Sequence, residues 1–75
     1  MKIIANSYEA KEIIKIIREW SELTQPEFAK KIGKSKDTVQ SYELGKNTMS
    51  LNNFLEIAKK ENILITLEKI NKKEK

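Results

Sequence analysis

The chain has 75 residues and a formal net charge of +4, from 15 basic and 11 acidic side chains, and it contains neither cysteine nor histidine. That length holds one small domain with little surface to bury, so association with a partner is an inexpensive source of stability. The missing residue types exclude disulfides, thiolate metal sites and the commonest general base, and no metal or other cofactor is expected.

Met1–Ala5 (MKIIA) is a short apolar start, either a strand that needs a pairing partner or a loose end. Asn6 or Ser7 offers a helix cap, Glu9 falls in the first turn, and a helix is expected to run to about Ser21. Ala10, Ile13, Ile14, Ile17 and Ser21 line one face at helical spacing. Ile16 and Trp20 make a second apolar stripe, which serves equally well as a broad core face or as partner-facing surface.

Thr24–Gly45 (TQPEFAKKIGKSKDTVQSYELG) reads as two short helices joined by a tight turn. Thr24 and Glu27 stand at the spacing of a capping box, and Pro26 falls in the first turn, where its missing N–H costs nothing. Phe28, Ala29 and Ile32 form an apolar face, and Gly33 supplies the left-handed stop. Ser35 caps the second helix, Val39 and Tyr42 form its inner face, and Gly45 ends it. The small Ala29 lets one helix cross closely over the other. This is the pattern of a helix-turn-helix, which places its second helix in a DNA major groove. An ordinary helical hairpin is the plainer reading, but it needs no Ala and Gly at these offsets.

Lys46–Met49 is a polar loop, and Ser50 caps a further helix with Leu51, Phe54, Leu55, Ile57 and Ala58 as its apolar positions, fading near Lys60. Residues 63–69 (ILITLEK) change character: β-branched residues alternate, with Ile63, Ile65 and Leu67 on one side, and a strand is expected. A lone strand leaves its N–H and C=O groups unpaired. Its partner is either Met1–Ala5 or the same strand of a second subunit, and the second choice makes an isologous homodimer with Ile63, Ile65 and Leu67 at the interface. Asn71–Lys75 is a charged end expected to fray.

The positive charge is uneven. Residues 30–46 hold five lysines against two carboxylates, residues 69–75 hold four against one, and the rest of the chain is net negative by two. A basic patch on the helix-turn-helix suits phosphate binding, although a chain rich in Lys, Ile and Asn throughout also produces such runs. No apolar run is long enough to cross a membrane and Met1–Ala5 is too short for a signal peptide, so a cytoplasmic, nucleoid-associated protein without membrane contact is expected.

Leu23-Thr24-Gln25, Phe28-Ala29, Ile32-Gly33, Ser35, Thr38-Val39, and Tyr42-Glu43 with Gly45 resemble the Xre family, the helix-turn-helix domain of phage lambda repressor and Cro. The resemblance implies a mainly α, lambda-repressor-like bundle of four to five helices spanning residues 1–75 as a single domain. It also implies an ion pair between Arg18 and Glu43, which would tie the first helix to the third. Lys34 and Glu61 depart from the family pattern, which has aliphatic residues there; being opposite in sign, they are expected to lie together and pair. The tail narrows the likeness: a short N-terminal arm, then this domain, then a hydrophobic strand is similar in layout to HipB antitoxins, whose terminal strands form a small intersubunit sheet.

The same resemblance implies sequence-specific binding of double-stranded DNA by a dimeric repressor. Its two recognition helices, 36–44, would then lie about 34 Å apart on a palindromic operator. Gln25 matches the family's phosphate-clamping glutamine, and Lys46, Asn47 and Thr48 would meet phosphates from the loop. Early in the recognition helix, beside the Ser35 cap, Lys36 can donate to guanine or hold a phosphate. Asp37 can accept from cytosine or serve the helix dipole, and Thr38 can meet a thymine methyl or a phosphate. Gln40 can reach adenine or a phosphate, and Ser41 occupies a base-facing position in the family. A different class of function is a protein-interaction module that chiefly neutralises a HipA-like toxin; a standalone phage-type regulator is a third reading. An enzyme is a poor reading, because the carboxylates follow solvated helix spacing and no glycine-rich phosphate loop is present.

Overall fold

The computed structural model describes residues 1–71. Among these residues four helices form, α1 (Ala10–Trp20), α2 (Gln25–Ile32), α3 (Lys36–Leu44) and α4 (Leu51–Lys60), after a 3-10 turn at Ala5–Ser7. Local chemistry explains their ends. Thr24 accepts from the Glu27 N–H while Glu27 returns a bond to the Thr24 N–H, closing the capping box that starts α2. Ser35 and Ser50 accept from the N–H groups of Thr38 and Asn53 and start α3 and α4.

All four helices stop in the same way. Glu22, Gly33, Gly45 and Asn62 each take a left-handed conformation, at φ 59°, 75°, 79° and 59°. The next residue then donates back five positions, Leu23 to Arg18, Lys34 to Ala29, Lys46 to Ser41 and Ile63 to Ala58. These are Schellman caps, which satisfy carbonyls that the helix leaves open. Two use glycine as expected; the other two strain a side-chain-bearing residue.

The core gathers Ile14 and Ile17 from α1, Phe28, Ala29 and Ile32 from α2, Val39 and Tyr42 from α3, and Ile57 from α4. Phe28 and Val39 are fully enclosed. The third helix packs on both α1 and α2, so the core's inner layer fixes the direction in which its outer face points.

Several local expectations are corrected. The first helix is capped at Glu9 rather than Asn6 or Ser7, because residues 5–7 have already turned and the Glu12 carboxylate reaches back to the Glu9 N–H at 2.8 Å. Ala10, Leu51 and Leu55 are exposed, so the apolar faces of α1 and α4 are narrower than their spacing suggests. Ile16 and Trp20 are half-buried. Lys34 and Glu61 do not pair. Glu61, its side chain only 3 % exposed, takes its cation from Lys31 at 3.2 Å and accepts from the Ser21 hydroxyl at 2.7 Å. The left-handed Gly33 carries Lys34 past the end of α2, into a groove with Asn53, Glu56 and Lys60.

The expected strand at 63–69 is also absent, and no strand forms among the described residues. Ile63 gives its N–H to Ala58 and its side chain packs against the core, which removes the first residue from any ladder. The residues after it find no sheet edge within one chain, and a strand without a partner is not a stable element. Leu64 and Leu67 are 85 % and 97 % exposed. Of the charged end, Lys72–Lys75 lie outside the described residues.

Candidate nucleic-acid interface

The outer face of α3 begins at the Ser35 cap. Lys36, Asp37 and Gln40 are exposed on it, Thr38 and Ser41 are half-buried, and Val39 and Tyr42 point into the core. The Ser35 and Thr38 hydroxyls lie 2.9 Å apart, and Ser35 also accepts the Thr38 N–H, so both side chains serve the cap. Lys36, Asp37 and Gln40 therefore make up the freely presented part of the expected base-reading set. Lys46, Asn47 and Thr48 are exposed beyond the helix end. The N–H groups of Lys46 and Asn47 both close on the Ser41 carbonyl, at 2.9 and 3.4 Å, which anchors this loop to α3.

Behind the helix lies a polar knot. Arg18 Nε donates to Glu43 Oε2 at 2.6 Å and Nη2 to Oε1 at 3.1 Å, while Nη1 donates to the Leu23 carbonyl at 2.9 Å. One guanidinium thus holds α1, the turn before α2, and α3 together. Gln25 joins the same carboxylate, its Nε2 donating to Oε1 at 3.0 Å. The Arg18–Glu43 spacing follows the family likeness, whereas the Gln25–Glu43 bond has no signal in the sequence. Nor does the Ser21–Glu61–Lys31 cluster, whose members lie far apart in the chain.

Burial works to raise the Glu43 pKa. The hydrogen bonds from Arg18 and Gln25, with the charges of Arg18 and Lys15, outweigh it and hold the carboxyl below its ordinary value. The Glu43 hydrogen bond holds the Arg18 guanidinium more firmly protonated, against desolvation and with help from the charges of Glu43 and Glu19. The backbone and hydroxyl of Thr24 hold the Glu27 carboxyl low. Both acidic groups named here are thus anions that the fold stabilises.

Among the described residues no three acidic, histidine or cysteine side chains gather as metal ligands. No described helix is long and apolar enough to cross a membrane. A family model described as Helix-turn-helix matches residues 14–60, more than half of the chain. The chain belongs to the Xre or lambda-repressor-like helix-turn-helix family. The match runs from Ile14, within α1, to Lys60, the last residue of α4, so this helix-turn-helix unit is the core bundle without its two ends. As a member of the helix-turn-helix family the protein is a DNA-binding regulator. No curated protein and no solved structure matches the chain.

Proposed function

We propose that this helix-turn-helix protein is a sequence-specific repressor that binds a palindromic operator as a homodimer, with α3 in the major groove. The observation that carries the reading is the presentation of α3. Its first turns show Lys36, Asp37 and Gln40 to solvent, while its opposite face is locked on the core and its end is held by the Arg18–Glu43 pair. A rigid helix with donors and acceptors on its open face suits major-groove reading. Lys36, Asp37, Gln40 and Ser41 are assigned to base edges, with Thr38 beside them. Gln25, Lys46, Asn47, Thr48 and the Ser35 cap are assigned to the phosphate backbone.

Ile65 and Leu67 are the residues assigned to self-association, since both are exposed in the single chain. Ile63, the third residue expected there, is packed against the core of its own chain. A second reading, an antitoxin of the HipB type with a HipA-like toxin as further partner, draws on the same tail, where Leu64, Leu67 and Ile70 are left uncovered.

Selection from a random pool of duplex DNA tests the main reading. Enrichment of two-fold symmetric sites with half-site centres about 34 Å apart is the expected result. Recovery of unrelated sequences only would overturn it.

A further inference from the structure

Gln25 opens α2 and Glu43 lies near the end of α3, 18 residues away, yet their side chains meet at 3.0 Å. The Glu43 side chain is only 6 % exposed and both its oxygens are held by Arg18. An ionised carboxylate only accepts hydrogen bonds, so the amide nitrogen of Gln25 must face it and the amide oxygen must turn elsewhere. That choice leaves one amide N–H uncommitted at the N-terminus of α2, where the helix dipole also favours an anion.

We propose that Glu43 is a positioning residue for DNA binding: it orients the Gln25 amide so that its second N–H meets a backbone phosphate oxygen. The inference rests on the DNA-binding reading above. Without the carboxylate, Gln25 recovers its rotamers, and an inverted amide would present its oxygen to the phosphate and repel it. Because Glu43 belongs to α3, the same bond sets the distance between the phosphate donor and the base-reading side chains. The helix that reads bases thereby controls the group that registers the backbone.

A double-mutant cycle tests this. The probe is a mixed-sequence duplex of about two helical turns at low salt, because a phosphate contact is indifferent to sequence. Glu43→Gln keeps the shape of the side chain and turns one acceptor into a donor; Gln25→Ala removes the amide. Each single change is expected to weaken binding about fivefold with little change in the salt slope, because a neutral amide releases no counterion, and the double variant to bind no worse than either. A double variant whose loss equals the product of the two single losses would overturn the proposal. Thermal melts report whether Glu43→Gln folds. Nitrogen-15 relaxation of the Gln25 side-chain amide in the unaltered protein gives an independent result: backbone-like rigidity supports positioning, and free rotation overturns it. If the unaltered protein fails to bind the duplex at all, the DNA-binding reading falls and takes this inference with it; additive losses in a protein that binds sink the role of Glu43 alone.

Discussion

The Arg18 guanidinium lies against the Glu43 carboxylate in a two-point contact, Nε to Oε2 at 2.6 Å and Nη2 to Oε1 at 3.1 Å, with side chains 15 % and 6 % exposed. Such a contact adds direction to charge, and here it joins the first helix to the third. Removing one partner strands the other in a poorly solvated place. Arg18→Ala or Glu43→Ala is expected to lose about 3–5 kcal/mol of stability, measured by urea unfolding. The pair replaced together by Met and Leu should cost less than either single change, because no stranded charge remains. Equal losses in all three variants would contradict this account.

Acid should weaken the fold through the same carboxylate. The folded pKa of Glu43 lies below its ordinary value of 4.5. The unfolded chain therefore binds more protons in that region, so stability is present above the unfolded pKa and is lost as pH falls through the folded one. Glu27 adds in the same direction. The melting temperature should fall as pH drops through and below the ordinary value of 4.5, and less steeply in Glu43→Gln. An unchanged slope in that variant would assign the acid sensitivity to other groups.

Backbone strain offers a change of opposite sign. Glu22 ends α1 at φ 59°, where a side chain is disfavoured. Glu22→Gly is expected to stabilise the protein by about 1 kcal/mol, read as a raised melting temperature. Gly33→Ala should cost about as much through strain alone, since nothing lies within 4 Å of the new Cβ. Gly45→Ala meets the same strain and also Lys11 Cδ at 3.1 Å, which must shift slightly. A destabilised Glu22→Gly would mean that its side chain matters more than its backbone.

Two lysines separate base reading from phosphate holding. Lys36→Ala is expected to cost about 1–3 kcal/mol of operator binding and to relax preference at one base pair. Lys46→Ala should weaken all sequences alike and lower the salt slope by ~0.9. Competition binding with single-base-pair operator variants distinguishes them; a uniform loss for Lys36→Ala would move that residue to the phosphate group.

The tail carries the remaining prediction. Leu67→Asp, at a position 97 % exposed in the single chain, should leave the helical content unchanged and shift the protein from dimer to monomer in sedimentation equilibrium. A monomeric unaltered protein would remove the dimer from the proposal.

Much of the helix-turn-helix is written in adjacent residues. Thr24, Glu27, Pro26, Gly33, Ser35 and Gly45 each act within a few positions of themselves, through caps and left-handed stops, so their spacing alone announces α2, the turn and α3. Phe28, Ala29, Val39 and Tyr42 follow from helical periodicity, because a helix repeats its faces at a fixed interval. Glu9 as a cap was harder to read, since Asn6 and Ser7 are better cappers by type and only the 3-10 turn displaces them.

Other features needed the third dimension. That Glu61 belongs to Lys31 and Ser21 rather than to Lys34 depends on where α2 ends relative to α4. That Ile63 caps a helix instead of opening a strand depends on the Ala58 carbonyl and the core beneath it, and that Gln25 rests on Glu43 depends on the crossing of α2 and α3. Local order comes from bonds between near neighbours, whose distances the covalent chain already limits. Contacts between remote residues exist only once the packed helices have set the relative positions of their ends; near neighbours therefore specify α2, the turn and α3, while packing selects the partners of Gln25, Glu61 and Ile63.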